Sequence, residues 1–304
     1  GELYITIVPN DYYLLYLNYM KYKESNSISQ IGVEITDVDI SKPLGKEELN
    51  TIHDLWVKNA VAIFPNQRLS HTEYNNFAMQ FGSFGDEPFL TPMKSQIHIV
   101  ELRRKATEEA MHFGGSWHSD WSFQPSPPAA TMLHSKIVPP IGGDTLFSNS
   151  ALAYEELPNE LKNKVDNLNG IHSAKLPYAD NGFYALENKK RTMKIKSSKL
   201  ANKHHLHPIV REHINTKEKS LFINPVYTIG VEGMDDMEAF ELLSKLFEHM
   251  TQDKYIYRHQ WDENMLIMWD NRSVMHMAEG GYDGYERLMH RITIAGETPI
   301  KSIQ

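Results

Sequence analysis

Ser116-Trp117-His118-Ser119-Asp120-Trp121-Ser122-Phe123 reads as a strand. Its period-2 geometry would put His118 and Asp120 on one face, near enough to chelate one cation. An imidazole and a carboxylate are two of the three ligands of a facial triad for non-haem Fe(II). Alone the His-x-Asp triplet is weak evidence, because a buried His paired to Asp is often purely structural. Further strands are expected around this segment at 97–102 and 130–138, and later at 206–212, 220–224, 264–269 and 287–295. Ile31-Gly32-Val33-Glu34-Ile35 alternates like a half-buried strand, and Ala60-Val61-Ala62-Ile63-Phe64 like a buried one. Leu49, Ile52, Leu55 and Trp56 recur at helical spacing. Ser70-His71-Thr72-Glu73 is a capping box opening a helix through about Phe81. Helices are also expected at 150–166 and 236–250, the second with Phe240, Leu243, Phe247 and Met250 on one face. Strands and helices do not alternate as βαβ units, which disfavours a doubly wound parallel sheet. The pattern predicts a mainly β protein with helical cover, a sandwich or jelly roll.

The 304 residues are 41% hydrophobic and 23% charged, an ordinary globular balance that excludes disordered, collagen-like and coiled-coil proteins. Lys and Arg number 31 against 39 Asp and Glu, and the net charge of −8 argues against non-specific nucleic-acid binding. With no cysteine, any metal must be held by His, Asp or Glu. No apolar run is long enough to span a bilayer, and the first residues lack the features of a secretory signal. The expectations are a cytoplasmic protein with no membrane or nucleic-acid partner. An N-terminal arm over 1–30, with an unusually aromatic stretch from Tyr12 to Tyr22, precedes a single domain over 31–304.

A third metal ligand must come from far along the chain. Trp269-Asp270-Asn271-Arg272-Ser273-Val274-Met275-His276 is the candidate region, followed by Arg287-Leu288-Met289-His290-Arg291-Ile292-Thr293. On a strand Arg287, Met289 and Arg291 share one face. Two arginines aimed into one space are costly unless anions meet them, and bidentate carboxylate binding is their usual use. Two solvated arginines on an edge strand are the plainer alternative.

Trp117-His118-Ser119-Asp120, then Gly142-Gly143-Asp144-Thr145, then Trp269-Asp270-Asn271-Arg272 with His276, Arg287 and His290-Arg291, resemble the taurine dioxygenase family from about Ile31 to Pro299. The resemblance implies a double-stranded β-helix and an oxygenase dependent on Fe(II), 2-oxoglutarate and O₂. Residue by residue, it implies that His118, Asp120 and His276 bind iron and that Thr145 and Arg287 hold the distal carboxylate of 2-oxoglutarate. Arg291 would face a substrate anion, and Trp269 would pack beside the metal. The reaction implied is hydroxylation of a C–H bond of a small anionic or zwitterionic molecule, with release of succinate and CO₂. A homo-oligomer is expected.

The sequence departs from the family where substrate-holding residues stand. Glu87-Pro88-Phe89-Leu90 occupies the place of a His-Pro-x-Tyr segment, and Tyr227 that of a substrate-side Phe. Glu87 is therefore expected at the substrate or at a gate, meeting a positive group opposite Arg291, with solvent exposure on a loop as the alternative. Trp121, Phe123 and Tyr227 would add an aromatic wall. Taurine is disfavoured as substrate. The competing readings are a taurine or alkylsulfonate dioxygenase proper, a non-catalytic ligand-binding relative, and a zinc hydrolase using the same triad.

Overall fold

Along Leu266-Ile267-Met268-Trp269 the side chains alternate between two cores. Leu266 and Met268 join one apolar cluster with the helices, while Ile267 and Trp269 join another with Phe147 and Met289. A strand buried on both faces must be central to a layered structure, and this one is. The computed structural model describes residues 20–301. The expected arm over 1–30 lies mostly outside the described residues.

In chain order the elements are β1 (Lys21–Glu24), β2 (Val33–Thr36), α1 (Lys46–Asn59), β3 (Val61–Phe64), α2 (His71–Met79), β4 (Val100–Arg104), β5 (Ala130–Ile137), β6 (Thr145–Asn149), α3 (Ser150–Glu155) and α4 (Asn159–Val165). Then come β7 (Asn169–Ser173), α5 (Lys175–Tyr178), α6 (Phe183–Leu186), β8 (His204–Pro208), β9 (Val210–Glu212), β10 (Lys219–Leu221), β11 (Thr228–Val231) and α7 (Asp236–Met250). Last are β12 (Ile256–His259), β13 (Leu266–Asp270), β14 (Val274–Ala278), β15 (Arg287–Ile294) and β16 (Ile300–Lys301). A seven-stranded sheet runs β1-β2-β3-β13-β5-β15-β4, and three smaller sheets run β12-β6-β14, β11-β7-β8 and β10-β9-β16. Among the described residues only β2 and β3 pair in parallel. The protein is mainly β with helical cover, and α1 and α2 pack on one face of the large sheet through Ile52, Trp56, Tyr74 and Phe77. The other face meets the β12-β6-β14 sheet through Leu133, Phe147, Trp269 and Val274. Among the described residues no helix is long and apolar enough to cross a membrane.

Several expectations change. The 116–123 segment is not a strand: His118 forms one isolated bridge with His276, and the chain then turns. The helix expected over 150–166 breaks in two, with Pro158 at the N-cap of α4, because proline lacks the N–H that would continue α3. In α7 the buried face is Ala239, Leu242, Leu243, Leu246 and Met250, whereas Phe240 is 68% exposed. The Ser70 capping box is present in full, with Ser70 accepting from the Glu73 N–H and Glu73 accepting from the Ser70 N–H.

Candidate metal and anion site

His118 and His276 exchange both backbone hydrogen bonds, His118 N–H to His276 C=O at 3.0 Å and the reverse at 2.8 Å. This one antiparallel bridge fixes two imidazoles side by side, ring centroids 4.2 Å apart. Two residues on, the turn brings Asp120 to both: its Oδ1 lies 3.5 Å from His118 Nε2 and 3.7 Å from His276 Nε2. All three residues are buried, and their candidate ligand atoms lie within 4.8 Å of one another. The cis donors of a six-coordinate ion stand about 3 Å apart for bonds near 2.1 Å, so the set needs only a small contraction to close on a cation. Sequence spacing named the right pair for the wrong reason, since a turn and not a strand face unites them.

The surroundings orient each donor. His118 Nδ1 sits 2.7 Å from the Ser116 carbonyl, which leaves Nε2 for the site. Asp120 Oδ2 accepts from Thr131 Oγ1 at 2.6 Å; Thr131 accepts from Asn271 Nδ2 at 2.9 Å, and Asn271 Oδ1 accepts from Trp269 Nε1 at 3.0 Å. Trp269 lies against the His276 ring, centroids 4.6 Å apart. Burial would raise the Asp120 carboxyl, but Arg291, His276 and His118 outweigh it and hold it well below the usual carboxylate range. Burial, aided by His118, pushes His276 down to about 3, so its imidazole is neutral and able to coordinate. Thr131 and the relay through Asn271 escaped the sequence reading, although Asn271 sits in a motif it quoted. Their roles depend on β5 pairing with β13, which no local spacing reveals.

Two clefts meet at this cluster, and His118, Arg291, Phe113 and Gly114 line both. The first also holds Thr145, Trp269, His276, Tyr282 and Arg287. Arg287 is buried, and its nearest polar partner is the Gly143 carbonyl, 3.4 Å from Nη2; Nε has none. Its guanidinium lies about 6 Å over the rings of Trp261 and Tyr282. Burial lowers its pKa, and no carboxylate offsets the charge. Thr145 Oγ1 accepts from Trp261 Nε1 at 3.0 Å, another indole that sequence reasoning missed. Gly142 has φ +67°, and a Cβ there would stand 2.6 Å from the Gly281 backbone, so this turn needs glycine to pass so close.

The second cleft is walled by Trp121, Tyr178, Phe183, Tyr184, Val226 and Tyr227. Phe123 backs this wall, 5.1 Å from the Tyr227 ring. Arg291 is the cation of this side, yet it is already engaged: Nε donates to Glu87 Oε1 at 2.9 Å and Nη1 to Asp120 Oδ1 at 3.0 Å. Glu87 corrects two expectations. Its side chain is only 10% exposed, so it is not a solvent-facing loop residue, and it lines neither cleft. Trp121 Nε1 and Arg291 Nε occupy its two oxygens, so it presents no open contact to a cationic substrate. The His204–His207 run lies in β8, in a different sheet from His276. Arg272 serves structure, donating to both carboxylate oxygens of Asp270.

The chain is similar to known proteins over most of its length. The family model described as taurine catabolism dioxygenase TauD, TfdA family matches residues 24–293. An alkylsulfatase of Acinetobacter baylyi is 32% identical over 272 residues, covering 88% of this chain and 83% of the relative. An alpha-ketoglutarate-dependent 2,4-dichlorophenoxyacetate dioxygenase of Cupriavidus pinatubonensis is 34% identical over 260 residues, covering 81% and 87%. The crystal structure of a taurine dioxygenase from Burkholderia xenovorans superposes with a TM-score of 0.75 at 27% identity, over 93% of this chain and 91% of that one.

Proposed function

Because the chain belongs to the taurine catabolism dioxygenase TauD, TfdA family, we propose that His118, Asp120 and His276 hold the iron of an enzyme that hydroxylates a small organic anion with an apolar body. The enzyme is a 2-oxoglutarate-dependent dioxygenase, and its cofactor and cosubstrates are Fe(II), 2-oxoglutarate and O₂. When bound, the iron lets O₂ oxidise 2-oxoglutarate to succinate and CO₂ and place one oxygen atom into a substrate C–H bond. The residues fit that group: three buried donors converge, and beside them a buried guanidinium lacks any carboxylate. Arg287, with the Thr145 hydroxyl, meets the distal carboxylate of 2-oxoglutarate by its planar fork. Thr131 fixes one oxygen of Asp120 and so leaves the other to the metal. We read the seven-stranded sheet and the facing β12-β6-β14 sheet as the walls of a double-stranded β-helix, and residues 31–304 as one oxygenase domain.

The substrate reading rests on one observation. Arg291 lines the aromatic cleft and its buried Nη2 has no partner, while Asp120 beside it and Glu87 behind it are both already paired with Arg291, Glu87 also with Trp121. An anion with an apolar body suits that cleft better than a zwitterion such as taurine, whose ammonium group would find no counter-charge from Glu87. The alkylsulfatase and the dichlorophenoxyacetate dioxygenase are named for such anions. The test is anaerobic reconstitution with Fe(II), then succinate formation with alkyl sulfates, phenoxyacetates, alkylsulfonates and taurine. Uncoupled turnover with every member of the panel rejects the substrate class. Asp120→Ala should abolish both iron retention and succinate formation, and turnover retained in that variant rejects the ligand assignment.

A further inference from the structure

Glu87 is placed to set the charge and orientation of the substrate side without touching the substrate. Its Oε1 accepts from Arg291 Nε at 2.9 Å and its Oε2 from Trp121 Nε1 at 2.6 Å. Those two side chains also meet each other, the Arg291 guanidinium carbon lying 5.4 Å from the Trp121 ring centroid. Trp121 follows Asp120 directly and has φ +47°, a conformation costly for a bulky residue unless its surroundings impose it. Phe89, two residues after Glu87, packs on Trp121 and stacks on Tyr178 at 4.7 Å. One short segment thus braces the turn bearing Asp120, the aromatic wall and the arginine of the cleft.

We propose that Glu87 is a positioning and specificity-determining residue, which holds Arg291 by one edge and Trp121 by its indole so that a substrate anion meets the remaining Nη N–H groups of a guanidinium already paired with two carboxylates. The inference builds on the organic-anion reading above. A guanidinium offers five N–H donors in a rigid fork. Nε is taken by Glu87 and Nη1 by Asp120, and Nη2 has no partner. Such a grip favours a singly charged anion held at one point, and it disfavours groups that need the whole fork. The carboxylate also repels the anion through a buried, weakly screened path.

The experiment measures binding of hexyl sulfate and of its uncharged analogue hexyl methyl sulfone by calorimetry, anaerobically, with iron and 2-oxoglutarate present and again on metal-free protein. Glu87→Gln keeps the size, removes the charge and cannot accept both donors. It should raise the preference for hexyl sulfate over the sulfone about tenfold and leave 2-oxoglutarate affinity within about twofold. On the best substrate of the panel, KM and kcat should fall together, because the anion is held more tightly but less well aimed. Glu87→Asp keeps the charge but not the reach; it should lower kcat with the preference unchanged, and it serves if the glutamine variant does not fold. Wild-type and Glu87→Gln proteins that bind both probes with the same preference overturn this inference alone. Parallel losses of 2-oxoglutarate and probe affinity do the same, since they mark a merely structural role. Wild-type protein that binds neither probe overturns the organic-anion reading and this inference with it.

Discussion

Arg287 and Arg291 stand four residues apart on the same strand, both buried and both lining the first cleft. One has no counter-charge and the other has two. Arg287 has a distant carbonyl and two aromatic rings; Arg291 has two carboxylates within 3.0 Å. A buried cation with no counter-ion is expensive, and a fold keeps one where an anion is due to arrive. A buried cation between two carboxylates is part of the protein's own charge balance before any ligand comes. The same residue type on one strand therefore carries an uncompensated charge at one end and a charge already paired within the protein at the other.

The comparison breaks most visibly at Arg291. Arg291→Gln leaves Asp120 and Glu87 buried without their cation and should cost about 3–5 kcal/mol in metal-free protein, read by denaturant unfolding. A divalent cation should recover part of that loss by meeting Asp120, and an equal loss with and without metal would detach Asp120 from the site. Next in size, Arg287→Lys should weaken 2-oxoglutarate binding tenfold to a hundredfold, about 1.4–2.7 kcal/mol, because an ammonium cannot reproduce the fork. Unchanged affinity by calorimetry would remove Arg287 from the cosubstrate site. A smaller effect of opposite sign tests the same contrast: Arg287→Gln should stabilise the cosubstrate-free protein by about 1 kcal/mol, seen as a higher melting temperature, as an uncompensated buried charge is removed. The smallest change is Thr145→Val, which strands the Trp261 indole N–H and should weaken 2-oxoglutarate about threefold to fivefold. Hexyl sulfate binding should not respond to it.

What the sequence disclosed follows from the range of each interaction. The capping box at Ser70 depends on a neighbour three residues away and was readable. So was the shared face of Arg287 and Arg291, because strand alternation is local. His118 and Asp120 were readable as a pair, but the turn that joins them was not: Trp121 adopts a positive φ for which its residue type gives no hint. The burial of Glu87 was invisible, since the residues that claim its two oxygens lie 34 and 204 positions away. Thr131 and Trp261 were missed for the same reason, each meaning something only once distant strands pair. Of the face expected on α7, Leu243 and Met250 are buried and Phe247 packs on the core, and only Phe240, at its edge, is exposed, because Ala239, Leu242 and Leu246 widen the apolar stripe on the other side.

The backbone bridge between His118 and His276 joins points separated by about half the chain. Contacts of such long range are among the slowest to form in folding, because a large loop must close before they repay it. A growing chain that has not yet added β14 carries two donors on a turn with nothing opposite them. The complete donor set thus exists only after both halves of the chain have met, and on the proposed ligand assignment metal affinity should appear during refolding only at the last stage of assembly. Free metal early in that process finds no finished place to bind, so iron should be captured by the folded protein and not template it.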